Sequence, residues 1–419
     1  MGRIERNSWE RFLRSRHGIL GSRDQVSRLP ESVLQHVISF VPSSDQRQIR
    51  LLSRKWRRLS AQNEKMLYLY GCRLNEQELL RVLEDDFHSA EFLVLKKCPG
   101  MRKLELVNFK LRTIELNYCG SLKNVDLNTP FLETFYFYGP RVRPCVIEFG
   151  VSTQLRTLHL VGVAINNMMF KDCNKSFPVL QVLTLSGCDI KSCINISSNS
   201  LRTLRLLNFK NFVEITIDTA NLLSFMYTGS TIVLFVSMNC PSLILALIEL
   251  NSNRYQSRDE MWFRRLNQML QGLKHTKKLT FDTNSDKNFI LPKHLRESLV
   301  PPLDLIPNKI YVRRSRSMDV VEFADAMLWM CPRVKKLKLS NYGLLLRLVH
   351  RELLGNQEIS CCFCSSQPLK CWRHSVTEFE LQEEQDHNKE AGKKLMSYLR
   401  ENLQEAGNKA IGMLTLKLH

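Results

Sequence analysis

Two short motifs near the C-terminal end contain the residues whose types and spacing could bind a metal ion. Cys361-x-x-Cys364 and Cys371-x-x-His374 have the ligand spacing of a small zinc site, with six residues between the pairs. The alternative is that these side chains pack in an apolar core. We favour packing, and we predict neither a bound metal nor a cofactor.

No motif of nucleotide binding or catalysis occurs in the sequence. It contains no P-loop, dinucleotide-binding glycine fingerprint, zincin helix or nucleophile elbow. The ten histidines are dispersed, so no Cys–His or Ser–His–Asp set can be nominated. We therefore predict no catalytic residues.

The charge of the chain is strongly basic and unevenly distributed. Its 419 residues include 60 Lys and Arg against 41 Asp and Glu, a net charge of +19. Residues 1–60 carry thirteen basic residues against five acidic ones, and residues 253–316 carry fourteen against six. Such a field attracts acidic partners, nucleic acid or anionic surfaces. Because aromatic residues do not alternate with the basic runs, we favour solvated surfaces over nucleic-acid binding.

Cysteine usage and the N-terminal sequence indicate an intracellular protein, nuclear or cytoplasmic. The thirteen cysteines are scattered through apolar segments, and residues 1–28 contain seven arginines and no hydrophobic stretch. This pattern predicts reduced thiols and no signal peptide. Thr231–Ile248 is uncharged over eighteen residues, but Pro241 and the β-branched residues favour two strands around a turn over a membrane span.

Residues 24–68 form a compact unit with a helical pattern. Val33, Leu34, Val37, Ile38 and Val41 recur at three- and four-residue steps and define one apolar helical face. A unit of this length buries its own core poorly. Its exposed apolar face therefore predicts a partner.

The same unit resembles the F-box of plant proteins in two runs, 29–42 and 51–57. In that family the motif binds the Skp-type adaptor of an SCF (Skp–cullin–F-box) ubiquitin ligase. The chain departs from the family at Gln46 and Arg47, which stand where two apolar residues are usual. The alternative is a helical cap that binds no adaptor. The resemblance implies eight adaptor-binding residues: Leu29, Pro30, Val33, Leu34, Val37, Ile38, Leu52 and Trp56.

A repeated pattern, apolar-x-x-apolar-x-apolar, follows the helical unit. Successive repeats are 21, 23, 25, 21 and 21 residues apart, the spacing of leucine-rich repeats. Further copies halfway between, at Leu122 and Phe212, predict a second short strand in some repeats. The fold predicted is an α/β leucine-rich-repeat (LRR) solenoid after a small all-α domain. The main repeats begin at Leu111, Leu132, Leu155, Leu180, Leu201 and Leu222.

Cysteines recur at fixed places in these repeats. Cys119 and Cys188 close a unit, and Cys98, Cys240 and Cys331 each open a turn that leads into the next strand. We interpret these cysteines as buried packing residues rather than redox or metal-binding groups.

The regular spacing fades after residue 250. Asp259–Leu270 and Val320–Met330 have helical patterns, Leu279–Phe281 and Val334–Leu339 have strand patterns, and 284–318 contains four prolines and reads as a loop or insertion. Such an irregular, basic segment is a plausible place for substrate contacts.

The last part of the chain resembles the FBD segment of many plant F-box/LRR proteins. The resemblance begins at Leu369 and includes Trp372 and His374, and the Cys-Trp-x-His element packs in relatives. A helix at Glu390–Leu403 and a strand at Ile411–Leu416 are expected after it. The predicted organisation is a basic arm at 1–23, an F-box at 24–68, a solenoid at 69–350 with the irregular insertion at 284–318, and an FBD-like cap at 351–419.

Over nearly its whole length the chain thus resembles plant F-box/LRR proteins. The resemblance implies a non-catalytic adaptor subunit of a ubiquitin ligase, with the F-box on a Skp-type adaptor and thereby a cullin. The concave face of the solenoid would recruit a protein substrate, which the sequence does not name. The alternatives are a non-ligase interaction scaffold and a basic nucleic-acid-binding repeat protein. A ubiquitin-transferring cysteine stays open on chemical grounds.

Overall fold

The structure is a computed structural model that falls into two compact units, Met1–Ile190 and Lys191–His419. Each unit is described by itself, and strands and helices are numbered in chain order. The residues described are 3–4, 30, 32–34, 65–107, 109–140, 144–150, 152–166, 168–191, 193–209, 213–251, 258–299, 305, 307, 309–313, 319–351, 372–383, 389–405 and 411–416.

Apart from its first strand, Arg3–Ile4, which precedes the predicted F-box, the larger sheet of the first unit takes one parallel strand from each repeat. Its strands are hydrogen-bonded in the order in which they occur along the chain, so each repeat adds the next neighbour. The strands are β1 Arg3–Ile4, β2 Met66–Tyr70, β3 Phe92–Lys96, β5 Thr113–Asn117, β7 Thr134–Tyr138, β9 Thr157–Val161 and β11 Val182–Ser186.

Alternation along each strand explains why these segments form a sheet with one buried face. In β5 the second and fourth residues, Ile114 and Leu116, are fully buried, as is the repeat leucine Leu111 before the strand. The register sets Ile114 beside Phe135 and Leu116 beside Phe137 in β7, so the apolar side chains stack in columns. This arrangement confirms the predicted leucine-rich-repeat solenoid.

A second, smaller parallel sheet runs behind the first. The unit that begins at Leu122 supplies one of its strands, which confirms a second strand in that repeat. Its strands are β4 Lys103–Val107, β6 Asn124–Asn128, β8 Cys145–Phe149, β10 Val163–Ile165 and β12 Asp189–Ile190. Two helices lie between strands, α1 Glu76–Asp85 and α2 Cys173–Ser176. A capping box begins α1, where Asn75 and Glu78 each accept from the other's backbone N–H at 2.9 Å.

The turns after five strands of the larger sheet, β2, β3, β5, β9 and β11, each contain a residue in the left-handed region. The φ angles there are +65° at Gly71, +67° at Gly162 and +54° at Gly187, but also +52° at Lys97 and +53° at Tyr118. In four of these turns the N–H of the left-handed residue extends the strand ladder, as between Tyr118 N and Tyr138 O at 2.7 Å. The turn redirects the chain, so that the next residue enters the interior.

Cysteine occupies that next, interior position in four of these turns. The thiols of Cys98, Cys119 and Cys188 each donate to a carbonyl of the preceding repeat, at 3.5 Å (Leu69), 3.6 Å (Leu95) and 3.5 Å (Leu160). The packing role predicted for Cys98, Cys119 and Cys188 is therefore confirmed. The four cysteines at this position, all buried, are Cys72, Cys98, Cys119 and Cys188.

Charged residues of alternating sign lie just before the strands of the larger sheet. Lys65 Nζ is 2.8 Å from Glu91 Oε1, and Arg112 contacts Glu91 at 3.9 Å and Glu133 at 2.6 Å. We call Lys65, Glu91, Arg112 and Glu133 the charge ladder. Exposed pairs of this kind stabilise a fold by at most about 1 kcal/mol each.

The second unit also contains a large sheet, parallel at first and then mixed. Its strands are β14 Thr203–Leu207, β16 Ser224–Gly229, β18 Leu245–Leu250, β19 Lys278–Thr283, β20 Lys309–Arg313, β21 Lys336–Leu339, β22 Leu344–His350, β23 Val376–Glu383 and β24 Ile411–Leu416. The strand β22 is antiparallel to both β21 and β23. A smaller parallel sheet contains β13 Cys193–Ser197, β15 Glu214–Asp218 and β17 Leu234–Asn239.

Strands β15, β17 and β18 confirm two sequence predictions. The repeat assigned to begin at Phe212 supplies β15, although Phe212 itself lies outside the described residues. The uncharged stretch Thr231–Ile248 contributes to β17 and β18 around a turn at Cys240. No helix among the described residues is both long enough and apolar enough to span a membrane.

Helices cover the irregular part of the second unit. They are α3 Glu260–Gly272, α4 Lys293–Ser298, α5 Val320–Met330, α6 Trp372–Ser375 and α7 Lys389–Glu405, with single 3₁₀ turns at Asp286–Asn288 and Ser340–Tyr342. The predicted helices correspond to α3, α5 and α7, and the predicted strands Leu279–Phe281, Val334–Leu339 and Ile411–Leu416 to β19, β21 and β24. In α3 the predicted apolar side is buried, with Trp262 and Phe263 among its residues.

The segment 284–318 differs from the loop or insertion expected there. It contains the first 3₁₀ turn, α4 and β20, and β20 pairs in parallel with β19 and β21. The physical reason is the alternation in β20, where Ile310 and Val312 are buried, whereas the prolines precede that strand. The strand is a further repeat of the larger sheet, spaced too irregularly to be recognised.

Buried polar residues join these helices to one another and to the sheet. The carboxylate of Asp325 in α5 accepts from Arg296 in α4 and from Tyr398 in α7, both at 2.5 Å. The amide of Asn288, fully buried, donates to Leu250 O at 2.9 Å, and the Asn288 carbonyl accepts from the Trp262 indole at 3.0 Å. These contacts satisfy polar groups that would otherwise be costly to bury.

Candidate interaction surfaces

Three of the eight predicted adaptor-binding residues lie in the described part of the chain. Pro30 O accepts hydrogen bonds from the N–H groups of Val33 and Leu34, both at 3.1 Å, and residues 32–34 are helical. Val33 is 43% exposed, whereas Leu34 is fully buried. Val33 is therefore accessible to a partner, while Leu34 packs inside. Leu29, Val37, Ile38, Leu52 and Trp56 lie outside the described residues.

The possible zinc ligands are not brought together by the described residues. Cys361, Cys364 and Cys371 lie outside them, and His374 is a buried residue of α6. Burial, and then the Arg373 guanidinium, lower the pKa of the His374 imidazole. In the described ranges, no three His, Cys, Asp or Glu side chains are placed to hold a metal ion. A zinc site at these four residues stays a possibility that the structure does not test.

Most cysteines of the described part are buried and suited to packing, and for Cys145 and Cys188 the pKa also argues against nucleophilic chemistry. Eight of the nine are buried, and Cys193 is partly exposed. Burial raises the pKa of the Cys188 thiol to about 11 and that of Cys145 to about 12. Because the thiolate is the reactive form, these thiols are protonated and shielded at neutral pH.

The open face of the larger sheet in the first unit is the face opposite its buried columns. Four aromatic side chains meet there, and we call Tyr118, Tyr136, Tyr138 and His159 the tyrosine cluster. The ring centroids of Tyr138 and His159 are 5.0 Å apart, those of Tyr136 and His159 5.9 Å, and those of Tyr118 and Tyr138 6.4 Å. Tyr118 is 62% exposed, and the other three are half-buried.

An ion pair lies beside the tyrosine cluster on the same face. Lys96 Nζ is 3.2 Å from Glu115 Oε1 and 5.6 Å from the centre of the Tyr68 ring. Glu115 also accepts from the Asn117 side-chain amide. Burial, and then the Glu115 carboxylate, raise the pKa of Tyr138, so its hydroxyl is protonated and can donate at neutral pH.

This combination of groups has the chemistry of a protein-binding surface. Tyrosine gives a large contact area and a hydrogen-bonding group with little loss of side-chain entropy. Tyrosine and arginine dominate the strongest contacts of protein interfaces. The first-unit open face can therefore hold a polypeptide through ring packing and hydroxyl hydrogen bonds.

Two side chains at the border of this face are held in a strained backbone conformation. Tyr118 and Lys97 have left-handed φ angles, where other turns of the same unit have glycine. The left-handed region costs a non-glycine residue about 1–2 kcal/mol. Strain of this kind is concentrated at functional sites. Tyr118 reaches the tyrosine cluster, and Lys97 Nζ is 5.7 Å from the centre of the Tyr70 ring.

The sequence prediction left the substrate-binding residues unassigned. A signal was nevertheless present, because tyrosine occupies the third and fifth strand positions both in β2 (Tyr68, Tyr70) and in β7 (Tyr136, Tyr138). Aligning the repeats on their buried residues would have placed these side chains on one face.

Comparison with known proteins agrees with the architecture. Residues 26–67 match the F-box domain family, within the predicted 24–68. The chain is 26% identical over 271 residues to the Arabidopsis thaliana F-box/LRR-repeat protein At3g58980, covering 49% of the chain and 45% of that relative. It is 23% identical over 249 residues to the Arabidopsis thaliana F-box/LRR-repeat protein At3g59250, covering 55% and 54%. The matched part thus spans about half the length of each relative.

The stacked parallel repeats define the chain as a leucine-rich-repeat protein. The F-box match and the two relatives make the chain similar to plant F-box/LRR proteins. The FBD-like character of residues 351–419 stays a prediction.

Proposed function

We propose that the chain is the substrate-recognition subunit of an SCF-type E3 ubiquitin ligase. The F-box would bind a Skp-type adaptor and, through it, a cullin, while the solenoid holds a protein substrate. The observation that carries this proposal is the F-box match at residues 26–67, followed by repeats with an open aromatic face. Such a subunit acts in the nucleus or cytoplasm, where its thiols stay reduced.

The proposed role requires no catalytic group in this chain. Holding a substrate near a conjugating enzyme raises the effective concentration of the two reactants, and that alone accelerates transfer. The protonated, buried thiols of Cys145 and Cys188 fit a chain that binds rather than reacts.

On the adaptor side, Val33 is the residue with the clearest structural support. Its side chain is 43% exposed on the first helical turn after Pro30. A large exposed aliphatic group on a short helical unit favours contact with another protein. Leu29 and Pro30 precede it in the matched segment.

On the substrate side, we assign the tyrosine cluster as a contact surface in the first unit. Its rings are fixed by mutual packing within 6.4 Å, so little side-chain entropy is lost on binding. The neighbouring Lys96–Glu115 pair offers both signs of charge to the same partner.

The decisive experiment is co-purification of the full chain with a Skp-type adaptor. We expect a one-to-one complex with wild type, and its loss in Leu29→Ala/Pro30→Ala and in Val33→Glu. Met168→Glu is the matched control, because Met168 is 63% exposed in a solenoid loop far along the chain from the F-box. Circular dichroism of each variant shows whether it is folded.

The result separates the two leading functions. Failure of folded wild type to bind any Skp-type adaptor would exclude the ligase role and favour a non-ligase scaffold. Equal binding by Val33→Glu and wild type would remove Val33 from the contact.

A further inference from the structure

A row of lysines crosses the open face of the larger sheet in the second unit. Lys278 in β19 pairs in register with Lys309 in β20. The register of Ile310 with Leu337 places Lys336 of β21 beside Lys309. We call Lys278, Lys309 and Lys336 the lysine row. Neighbouring strands are only about 4.8 Å apart, so these like charges repel and destabilise the free sheet.

The charge of the lysine row is not neutralised within the described part of the chain. None of its three lysines forms an ion pair with a carboxylate there. The next strand brings Arg347 opposite Lys336, and Arg347 Nε is 3.7 Å from Glu380. On the β19 strand itself, the carboxylate on this face is Asp282, four residues after Lys278 and in register with Arg313 of β20. Lys278 and Lys336 are exposed, and Lys309 is half-buried.

A tyrosine at the centre of this surface contacts two of the lysines. The ammonium groups of Lys309 and Lys278 lie 4.3 Å and 4.9 Å from the centre of the Tyr311 ring. A hydrogen bond from Lys309, and then the charges of Lys309 and Lys278, lower the pKa of the Tyr311 hydroxyl. A ring engaged by two cations is a poor stacking platform for a nucleic-acid base. The surface therefore favours carboxylates as ligands.

We propose that the lysine row binds an acidic peptide segment in an extended conformation. The three lysines span about 10 Å across the strands. Alternate residues of an extended peptide are about 7 Å apart and point the same way, so acidic residues at every second position present two carboxylates within reach of flexible lysines. The identification of this peptide as part of a ligase substrate rests on the function proposed above. The binding of an acidic peptide to the lysine row does not depend on that function.

The test is direct binding of the full chain to labelled probes, followed by fluorescence anisotropy. The probes are a twelve-residue peptide of alternating Glu and Ser, its Gln–Ser counterpart and a twelve-nucleotide single-stranded DNA. We expect the Glu peptide to bind at least about tenfold more tightly than the Gln peptide, with an affinity that falls as salt rises. Lys278→Gln/Lys309→Gln/Lys336→Gln should weaken Glu-peptide binding by at least about tenfold.

A charge-matched control distinguishes this site from general attraction to a basic protein. Lys110→Gln/Lys123→Gln/Lys171→Gln removes three exposed lysines of the first unit and should change the affinity less than about twofold. Equal weakening by both triple variants, or no binding by wild type, would overturn the proposal. Tighter binding of the DNA through the same three lysines would replace the peptide with nucleic acid.

Thermal unfolding is a second measurement, and it would change if the three lysines stabilised the fold instead of binding a ligand. Because the three lysines repel one another, the row variant should keep or raise the melting temperature. A lower melting temperature would indicate that the lysines stabilise the fold instead. Peptide binding is measured without an adaptor, so its failure and failure of the ligase role are separate outcomes.

Discussion

Single residues set the turn geometry that repeats through the first unit. Glycine supplies the left-handed conformation at residues 71, 162 and 187 without strain, whereas Tyr118 and Lys97 adopt it at a cost in stability. Both strained side chains lie at the border of the open face. We interpret these two residues as a compromise: each side chain contributes to the binding surface, at a cost of about 1–2 kcal/mol of backbone strain.

The glycine turns give a matched pair of substitutions. Gly71→Ala adds a methyl group into open space, so only the left-handed strain of about 1 kcal/mol is lost from the free energy of unfolding. Gly162→Ala has nearly the same φ, but its methyl group would lie 2.9 Å from Gly139 O. We expect Gly162→Ala to cost a further 1–3 kcal/mol or so, as overpacked sites do. Urea titration of both variants measures the difference, and equal losses would contradict the predicted clash.

At the scale of secondary-structure elements, one histidine links the antiparallel strand β22 to the segment before β21 and to helix α6. His350, the last residue of β22, donates from Nε2 to Val334 O at 2.8 Å, and its Nδ1 is 3.0 Å from Ser375 Oγ in α6. Burial lowers the pKa of this imidazole, and the charges of Arg333 and Lys335 lower it further. The neutral ring is thus the form that the folded state prefers.

The sign of the resulting pH dependence follows from that preference. The stability due to neutral His350 is fully present above the ordinary pKa of 6.5. It is lost as the pH falls below 6.5 toward the lower folded pKa, because the unfolded chain takes up the proton more readily. We expect the melting temperature of wild type to fall more between pH 7.5 and pH 5 than that of His350→Gln. Parallel pH profiles would contradict this prediction.

At the scale of the whole molecule, cysteine is used as an interior residue in both units. Eight of the nine described cysteines are buried, from Cys72 in the first unit to Cys331 in the second. Alkylation of the native protein, mapped by mass spectrometry, should label Cys193 faster than these eight. All nine should react quickly in denaturant, because unfolding exposes the thiols and restores an ordinary pKa. Rapid native labelling of Cys188 or Cys331 would contradict the burial.

The sequence predicted the regular parts of the fold because its apolar residues follow a fixed period. Val320–Met330 coincides with α5, and the leucine spacing located the main strands. The antiparallel β22 escaped prediction, as did short second-sheet strands such as β10 and β12, of three and two residues. Segments that short carry too little pattern, and the direction of β22 depends on the sheet edge that it joins.

The tyrosine cluster and the lysine row could not be predicted from the sequence for a related reason. Tyr138 and His159 are 21 positions apart, and Lys278 and Lys309 are 31 apart, yet each pair occupies neighbouring strands. Only the strand register makes them neighbours. The basic character of 253–316 was visible in the sequence, but not its arrangement as a row on one face.

The charge ladder at the strand starts has a consequence for how such a chain can change length. Its signs alternate from one repeat to the next, through Lys65, Glu91, Arg112 and Glu133. Gain or loss of one repeat inside the ladder would set two like charges side by side, which is unfavourable, whereas gain or loss of two would restore the alternation. Only an even number of added or removed repeats keeps the alternation of charge. We therefore expect this region to tolerate the gain or loss of two repeats more readily than the gain or loss of one.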